Sequence, residues 1–333
     1  MDRVNAPAAN TPPRNIVVLA GGVGGAKYLL GVREYARENG AEVTAIVNTG
    51  DDATMHGLRV CPDLDSIMYT LGGGHDQERG WGQVGETWTV GEELKEYGAG
   101  PTWFSLGDKD IATHLVRTQM LDAGYRLTEV TEALCARWQP GVHLLPMSDD
   151  RVETHVVCTL PGAEQPSAIH FQQWWVRYRT KVPTTGFVQV GAEQATPSAD
   201  VLAALKEADL ILLAPSNPVV SIGPILAVPG MREALRDAAA PVIGTAGLIN
   251  GAPLRGMADV CLQVIGVQQT ALAVADYLGA RSAGGVLDGW LVAPGDGGAL
   301  DAISVAEAPL LMSDASATAK MVTAAVELAG QVR

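Results

Sequence analysis

Short apolar runs and segments of helical spacing alternate along the first fifty residues. Residues 16–20 form an apolar run, and apolar positions then recur along 24–38 until Asn39 and Gly40. A second apolar run covers residues 42–48. Asn and Gly commonly end helices because both tolerate the left-handed conformation. The pattern therefore predicts a strand, a helix and a second strand, which form a βαβ unit with parallel strands and a right-handed crossover.

The second half of the chain continues this alternation. Predicted strands cover residues 210–214, 241–245, 290–292 and 309–312. Predicted helices cover residues 199–208, 229–239, 268–279 and 315–330. Strands that alternate with helices are typical of an α/β fold with an open, doubly wound and mainly parallel sheet.

The middle of the chain has a different pattern. Residues 75–145 are mainly helical in spacing and rich in charge, whereas residues 150–190 alternate like antiparallel strands. The first of these segments carries Trp81, Trp88, Trp103 and Trp138. We interpret residues 75–190 as an insertion that forms a helical and aromatic lid over the ligand-binding edge of the sheet. The chain then reads as a loose tail, 1–14, and one domain, 15–333.

Composition narrows the range of partners. The 333 residues are 47% hydrophobic, enough for one large α/β domain or two smaller ones, and the net charge is −14. Nucleic acid is an unfavourable partner at this charge, because phosphate backbones require clustered Lys and Arg. The four cysteines form no C-x-x-C pair, which favours free thiols in a reducing compartment. With no signal segment and no membrane-length apolar run, we expect a cytoplasmic protein with no membrane contact.

A glycine-rich turn follows the first predicted strand. It contains Gly21, Gly22, Gly24 and Gly25, with Lys27 just beyond. Such a turn at a helix N-terminus presents N–H groups to a phosphate, and we favour this interpretation over a turn needed only for packing. The Gly-Lys-Ser/Thr triplet of a P-loop is missing. An NAD site is also disfavoured, because Lys27 replaces the third glycine and Asn48 stands where a ribose-binding acid is expected.

Two acidic pairs lie beyond the second strand. Asp51 and Asp52 follow Asn48 directly, and Asp63 and Asp65 come shortly afterwards. Carboxylates gathered at one sheet edge require a cation, and hard oxygen ligands suit Mg²⁺, which keeps waters and bridges carboxylates to phosphates. A single one of them, Asp63 or Asp65, can instead cap the following helix. The set as a whole favours the metal.

Three further stretches leave alternatives open. Asp110 and His114, in residues 106–114, have helix capping and a buried hydrogen-bonded histidine as their simplest interpretations. Ser216 and Asn217, in residues 214–223, can read a base or a ribose, or form a strand-to-helix turn. The aromatic and Arg-containing residues 172–179 can belong to the core, or can stack on a flat ring with Arg177 or Arg179 near a phosphate.

Seven segments in this order resemble the 2-phospho-L-lactate transferase family. They are LAGGVGGAK, VNTGDD, CPDLDS, LGDKDIATH, PMSDDR, FQQWWVRYR and PSNPVVSIGPIL. The resemblance extends from about residue 15 to residue 330. The tryptophan-rich insertion and the segment 79–83 resemble the actinobacterial branch, the phosphoenolpyruvate transferases of coenzyme F420 biosynthesis.

The resemblance implies a reaction at phosphorus. The donor is a guanosine diphosphate ester of enolpyruvate or lactate, and the acceptor is the deazaflavin alcohol Fo, 7,8-didemethyl-8-hydroxy-5-deazariboflavin. The terminal ribityl hydroxyl of Fo attacks the phosphorus nearer the three-carbon acid, and GMP leaves. The resemblance also implies a Rossmann-like core with a lid, a homodimer and Mg²⁺ as cofactor.

Roles for individual residues follow from the same resemblance. Asp51 and Asp63 match the positions that hold Mg²⁺, and the glycine turn with Lys27 faces the phosphates. Asp51, Asp65 and Asp108 are the catalytic candidates, with Asp51 or Asp65 as proton acceptor. The other implied contacts are Ser216 and Asn217 with the guanosine, and Trp174 and Arg177 with the deazaflavin or within the lid.

One segment departs from the family pattern. Residues 245–251 read TAGLING, where the family usually has a Ser-Pro-Ile-Ile/Val-Gly type sequence. This departure bears on which three-carbon acid is used. Two other classes compete with the transferase: a non-catalytic nucleotide-sugar-binding regulator of the same fold, and an NAD(P)-dependent oxidoreductase. The acidic residues argue against the first, and Lys27 with Asn48 against the second.

Overall fold

The computed structural model describes residues 12–254 and 256–332, so most of the predicted tail lies outside the described residues. The strands are β1 (Asn15–Ala20), β2 (Glu42–Val47), β3 (Ala53–Met55), β4 (Leu58–Val60), β5 (His143–Pro146), β6 (Glu153–Cys158), β7 (Ser167–His170), β8 (Thr184–Val190), β9 (Leu210–Leu213), β10 (Val242–Thr245), β11 (Leu248–Ile249), β12 (Ala252–Pro253), β13 (Gly289–Val292) and β14 (Ser304–Glu307). The helices are α1 (Gly22–Asn39), α2 (Pro62–Leu71), α3 (Thr89–Glu96), α4 (Asp108–Asp122), α5 (Leu127–Trp138), α6 (Ala199–Glu207), α7 (Ile222–Ala227), α8 (Met231–Asp237), α9 (Ala258–Val264), α10 (Ala271–Leu278) and α11 (Ala315–Gln331).

A seven-stranded sheet forms the centre of the molecule. Its order is β14-β13-β10-β9-β1-β2-β5, and every neighbouring pair is parallel. The chain leaves β1 toward β2 and β5 on one side and later returns to β9, β10, β13 and β14 on the other. The strand order therefore reverses between β1 and β9, where open α/β sheets bind their ligands at the carboxyl ends of the strands. This arrangement confirms the predicted doubly wound α/β class.

The central strands are apolar because both of their faces are covered. All four residues of β9 are buried, as are five of the six residues of β1. Helix α1 covers this region and ends at Gly40, whose φ of 68° allows the left-handed cap predicted from the sequence. Gly31 of α1 lets α11 approach, since a Cβ at this position would clash with Thr318.

Two features of the sheet correct the predictions. Strand β5 lies inside the predicted insertion, 75–190, yet pairs with β2 as an edge strand of the central sheet. The insertion therefore consists of two separate segments, one before β5 and one after it. The predicted strand 309–312 is not a strand, and β14 takes the edge position instead. Its sequence, SVAE, is half-buried and has no strong apolar pattern.

The segment after β5 confirms the predicted antiparallel pattern. Strands β7, β6 and β8 form a three-stranded antiparallel sheet, and a π-helix, Gln173–Arg177, follows β7. Before β5, helices α3, α4 and α5 account for the helical spacing. All four cysteines are free, and three of them are buried. Among the described residues, no helix combines the length and apolar character needed to span a bilayer.

Candidate active site

A cavity of about 1170 Å³ lies at the carboxyl edge of the sheet, above the point where the strand order reverses. Residues that follow β1, β9 and β10 form one side of it, and α2, α4 and the segment after β7 form the other. The cavity is large enough for a ligand well above the size of a mononucleotide. It brings together these predicted site residues: Gly21, Gly22, Gly24, Lys27, Asp51, Asp63, Asp65, Ser216 and Asn217.

The glycine turn is held in place by hydrogen bonds to Ser216, in the loop after β9. The Gly21 N–H donates to Ser216 Oγ at 3.1 Å, and the Ser216 hydroxyl donates to the Gly21 carbonyl at 2.7 Å. A Cβ at Gly21 would lie 2.6 Å from Oδ2 of Asp63, so only glycine leaves room for that carboxylate. Gly25 is buried under Ser216 and does not line the cavity. Its predicted ligand contact is therefore replaced by a packing role.

Two carboxylates converge on one amide beside this turn. Asn48 Nδ2 lies 2.8 Å from Oδ2 of Asp63 and 3.3 Å from Oδ1 of Asp51. Burial raises the pKa of Asp63 to about 6. Burial and the neighbouring Asp63 charge raise the pKa of Asp51 well above its usual value. A pair of buried carboxylates with no basic partner of its own is the environment that a bound cation relieves.

The donor chemistry of this pair suits Mg²⁺. Asp51 and Asp63 offer hard oxygen ligands, and two carboxylates leave coordination positions for waters and phosphate oxygens. In residues 12–254 and 256–332, no three His, Cys, Asp or Glu side chains gather into a self-sufficient metal site. The residues present therefore fit a Mg²⁺ ion whose other ligands come from waters and a phosphorylated substrate. They do not fit a closed structural site, in which the protein supplies every ligand.

The second members of the two acidic pairs are neutralised by arginines. Asp52 accepts from Arg59 Nη2 at 3.1 Å, and Asp65 is held by Arg117 through both carboxylate oxygens. Asp63 and Asp65 both lie in the first turn of α2, but its N-cap position is Cys61, and no side chain caps it. The capping alternative for these aspartates is therefore not what the structure has. Of these four aspartates, Asp51 and Asp63 have no ion pair among the described residues.

A buried polar network continues from Asp65 into α4. His114 Nδ1 lies 3.0 Å from Arg117 Nη1, and His114 is almost fully buried. Burial lowers the pKa of His114 to about 4. The neutral ring therefore accepts from the guanidinium at Nδ1 and carries its proton at Nε2. The prediction of a buried, hydrogen-bonded His114 is confirmed.

Asp108 lies outside the cavity, although the family resemblance implied a catalytic role for it. Its carboxylate accepts from the Thr87 hydroxyl at 2.6 Å and from the Val90 N–H at 3.0 Å, at the start of α3. Asp110 lines the cavity instead. It follows Asp108 by two residues on α4, and side chains two residues apart lie on different faces of a helix. Glu86 caps α4 by accepting from the backbone N–H groups of residues 109 and 110, so Asp110 is not a cap.

Trp174 and Arg177 also lie away from the cavity. Trp174 is completely buried and donates from Nε1 to Thr184 Oγ1 at 2.9 Å, which ties the π-helix to β8. The Arg177 guanidinium lies 5.4 Å from the ring centroid of Tyr178. The neighbouring side chains Trp175 and Arg179 line the cavity. Of the two arginines predicted near a phosphate, the structure therefore places Arg179 at the cavity and Arg177 away from it.

Several cavity residues were not predicted individually as site residues. Beyond Asp110, they include the aromatic and apolar side chains Trp81, Trp103, Phe104, Phe171, Leu310, Leu311 and Met312. One signal for Asp110 exists in the sequence: Asp110, His114 and Arg117 recur at helical spacing on one face of α4. Trp81 and Trp103 belong to the tryptophan-rich segment that was predicted as a lid, whereas residues 310–312, in the loop after β14, carry no such signal.

The departing segment 245–251 lies at the site. Residues 246–249, which follow β10, line the cavity, so the loop is placed to contact a ligand. Gly247 approaches the backbone of Pro215 in the loop after β9, and a Cβ at Gly247 would lie 3.1 Å from its carbonyl oxygen. The two loops therefore form one continuous wall.

The fold is that of a Rossmann-like protein, and the cavity at the point where its strand order reverses combines a glycine turn with a buried carboxylate pair. The family model described as 2-phospho-L-lactate transferase CofD matches residues 16–327, so the chain belongs to that family. It is accordingly a transferase of coenzyme F420 biosynthesis.

Curated relatives cover nearly the whole chain. A phosphoenolpyruvate transferase of Nocardia farcinica is 62% identical over 326 residues, covering 97% of both chains. One of Mycolicibacterium smegmatis is 60% identical over 322 residues, covering 95% of this chain and 98% of the relative. One of Mycobacterium tuberculosis is 59% identical over 328 residues, covering 95% and 99%.

A solved structure supports the fold independently. A member of the UPF0052 family from Bacillus halodurans superposes with a TM-score of 0.59 at 16% identity, covering 93% of this chain and 98% of that one. This likeness concerns the arrangement of the backbone alone.

Proposed function

We propose that this protein transfers the phosphoenolpyruvyl group from a guanosine diphosphate ester to the terminal ribityl hydroxyl of Fo, releasing GMP and giving dehydro-F420-0. The 2-phospho-L-lactyl ester, which would give F420-0, is the second donor to test. The observation that carries the proposal is the Asp51–Asn48–Asp63 cluster beside the glycine turn in one large cavity. The names of the curated relatives favour enolpyruvate over lactate.

The donor would lie between the two loops at the point where the strand order reverses. The N–H groups at the start of α1 and the Lys27 ammonium meet the diphosphate, since this is the positive end of the helix. Ser216 and Asn217 border the same cavity on the β9 side, where the guanosine is expected. Ser216 Oγ is already bonded to Gly21, so it sets the shape of the turn.

Asp51 and Asp63 are the residues that would hold Mg²⁺. When bound, the ion would neutralise negative charge on the oxygens of the diphosphate, including those of the phosphoryl group that is attacked. Transfer at phosphorus depends on positioning and charge compensation, with little covalent chemistry from the protein. The chain supplies positioning through Asn48, which holds both carboxylates toward the glycine turn.

The acceptor fits the aromatic side of the cavity. Trp81, Trp103, Phe104 and Trp175 provide flat apolar surface for a deazaflavin ring, with the ribityl chain directed toward Asp51 and Asp63. Asp65 is a weak proton acceptor, because Arg117 engages both of its oxygens. Of these two candidate proton acceptors, Asp51 is therefore the stronger one.

The homodimer implied by the resemblance stays a prediction, which analytical ultracentrifugation can test.

The test is a mass-resolved assay with purified protein, Fo, Mg²⁺ and a mixture of the enolpyruvyl, lactyl and phosphoglycerate-type guanosine diphospho-acids. We expect GMP release with one acid attached to Fo. The product should disappear with EDTA and in the Asp63→Asn variant.

The matched control is Asp108→Asn, because Asp108 lies on α4 outside the cavity. This variant should retain most of the activity. Tight GDP binding with no adduct from any donor would contradict the transferase and would leave the nucleotide-binding regulator as the better explanation.

A further inference from the structure

The segment that follows β7 has an unusual backbone. The π-helix Gln173–Arg177 is followed by Arg179 with φ of 51° and Thr180 with φ of 60°. Two consecutive non-glycine residues in the left-handed region are rare, and such conformations persist only where the surrounding structure imposes them. π-helical turns also occur frequently at functional sites.

Surrounding contacts hold this backbone in place. The Thr180 N–H donates to the Trp174 carbonyl at 3.1 Å, and the Lys181 N–H donates to the Tyr178 carbonyl at 3.0 Å. Trp174 is completely buried and anchors the turn. The result is that the Arg179 side chain lies at the cavity wall, whereas that of Arg177 does not.

Among the described residues, four basic side chains line the cavity: Lys27, Arg79, His114 and Arg179. Arg79 is paired with Asp76, donates to the carbonyls of Trp81 and Gln83, and lies 4.9 Å from the Trp81 ring centroid. His114 is buried and neutral at pH 7. In the part of the chain that the structure describes, Lys27 and Arg179 are the lining cations without a hydrogen bond or ion pair.

The proposed donor has two separate anionic groups. Its diphosphate belongs at the glycine turn with Lys27, and its carboxylate is attached to the carbon atom that bears the phosphate ester. On the cavity wall, Asp65 is paired with Arg117, and Asp51 and Asp63 would hold Mg²⁺. Among the described residues, Asp110 has no ion pair, so its ionised carboxylate repels a second anion unless a cation meets that anion. A guanidinium binds a carboxylate through two parallel hydrogen bonds, so it recognises this group better than an ammonium does.

We propose that Arg179 binds the carboxylate of the three-carbon acid and so selects a carboxylated donor. This inference rests on the proposed function. It assigns to Arg179 a specificity role, distinct from the phosphate contacts of the glycine turn. The observation behind this proposal is the Arg179 guanidinium, which lies at the cavity wall without a hydrogen bond or ion pair among the described residues, on a constrained backbone.

Binding calorimetry tests the proposal directly. The ligands are the guanosine diphosphate ester of enolpyruvate and its carboxamide analogue, with Mg²⁺ present and Fo absent. The wild-type protein should bind the carboxylate about 10- to 100-fold more tightly than the amide, the range for a charge-assisted pair. Arg179→Gln should lose this preference and bind the amide as the wild type does. Arg179→Lys should retain only part of it.

Arg177→Gln is the matched control. This variant removes the same charge from a side chain that lies two residues from Arg179 and outside the cavity. Its preference for the carboxylate should therefore equal that of the wild type. Equal weakening of both ligands by Arg179→Gln would overturn the proposal in favour of a diphosphate contact. An unchanged preference would overturn it outright. GMP release is measured separately, so retained selectivity without turnover would refute the transferase and leave the role of Arg179 intact.

Discussion

The side-chain amide of Asn48 donates to Oδ2 of Asp63 at 2.8 Å, with both residues buried at the carboxyl edge of the sheet. Asn48 directly follows β2, and Asp63 lies in the first turn of α2. This bond joins the two elements and aims one carboxylate at the glycine turn. An acid at position 48, which a dinucleotide-binding protein would use for a ribose, would instead add a third negative charge to a site with raised pKa values.

Asn48→Ala should weaken the binding of Mg²⁺. The change removes the donor to both carboxylates and the acceptor for the Gly50 N–H. Loss of a group that orients metal ligands typically reduces affinity about 10- to 100-fold. The measurement is the Mg²⁺ concentration for half-maximal GMP release. Asn39→Ala, at the exposed end of α1, should leave that concentration unchanged, and a similar shift in both variants would contradict the prediction.

Gly21→Ala should abolish most activity with a modest effect on folding. The added methyl would lie 2.6 Å from Oδ2 of Asp63 and 2.8 Å from Cβ of Ser221, so the carboxylate must move. The comparison is Gly40→Ala, where φ is 68° and the space is open. That variant should lose about 1 kcal/mol of stability, since Ala is strained in the left-handed region, and keep its activity. Activity and urea unfolding of the two variants separate these effects.

Removing Arg117 should destabilise the protein strongly. Arg117 is buried and holds Asp65 through both oxygens, so Arg117→Met leaves a buried carboxylate without its partner. Breaking such a pair typically costs about 3 to 5 kcal/mol. The double variant Asp65→Leu/Arg117→Met should recover much of this loss. A double-mutant cycle by urea unfolding measures the coupling, and strictly additive changes would show that the pair contributes nothing.

Asp108 and Asp110 should change stability in opposite directions with pH. Burial, followed by the charges of Asp65 and Glu86, raises the pKa of Asp110 from its usual 3.8 to about 6. Its ionised form therefore destabilises the fold above pH 6, and that penalty disappears as the pH falls toward 4. A difference of about two units between the pKa values of the folded and unfolded states corresponds to about 3 kcal/mol of stability. Hydrogen bonds from Thr87 and Val90 lower the pKa of Asp108, so its stabilisation is present at neutral pH and is lost in acid.

The measurement is urea unfolding of wild type, Asp110→Asn and Asp108→Asn between about pH 2.5 and 7.5. Asp110→Asn should gain stability relative to wild type at pH 7 and lose this advantage near pH 4. Asp108→Asn should be less stable than wild type by a nearly constant amount from pH 7 to about pH 4, with the difference shrinking below pH 4. A constant difference from wild type between pH 7 and 4 for Asp110→Asn, or below pH 4 for Asp108→Asn, would refute the corresponding assignment.

The sequence by itself determined the elements whose patterns are strong and local. The apolar run of β1, the glycine turn and the Gly40 stop identify the βαβ unit, because strand burial, close backbone approach and a left-handed cap each require particular residue types. The same holds for α6, β9, α8, β10, α10, β13 and α11, whereas the edge strand β14 was not predicted. The ordered motifs also identified the family, since seven short segments in sequence are far more specific than one glycine turn.

The tertiary structure decided which polar residues share a site. Four aspartates beyond β2 look alike in sequence, yet Arg59 and Arg117 neutralise two of them, and only Asp51 and Asp63 converge on Asn48. Arg59 lies in the β3–β4 hairpin, close in sequence to Asp52, but Arg117 lies on α4 more than fifty residues from Asp65, so no local pattern reveals this second pair. Long-range packing likewise placed β5 in the central sheet, because an edge strand of four residues is specified by its pairing with β2.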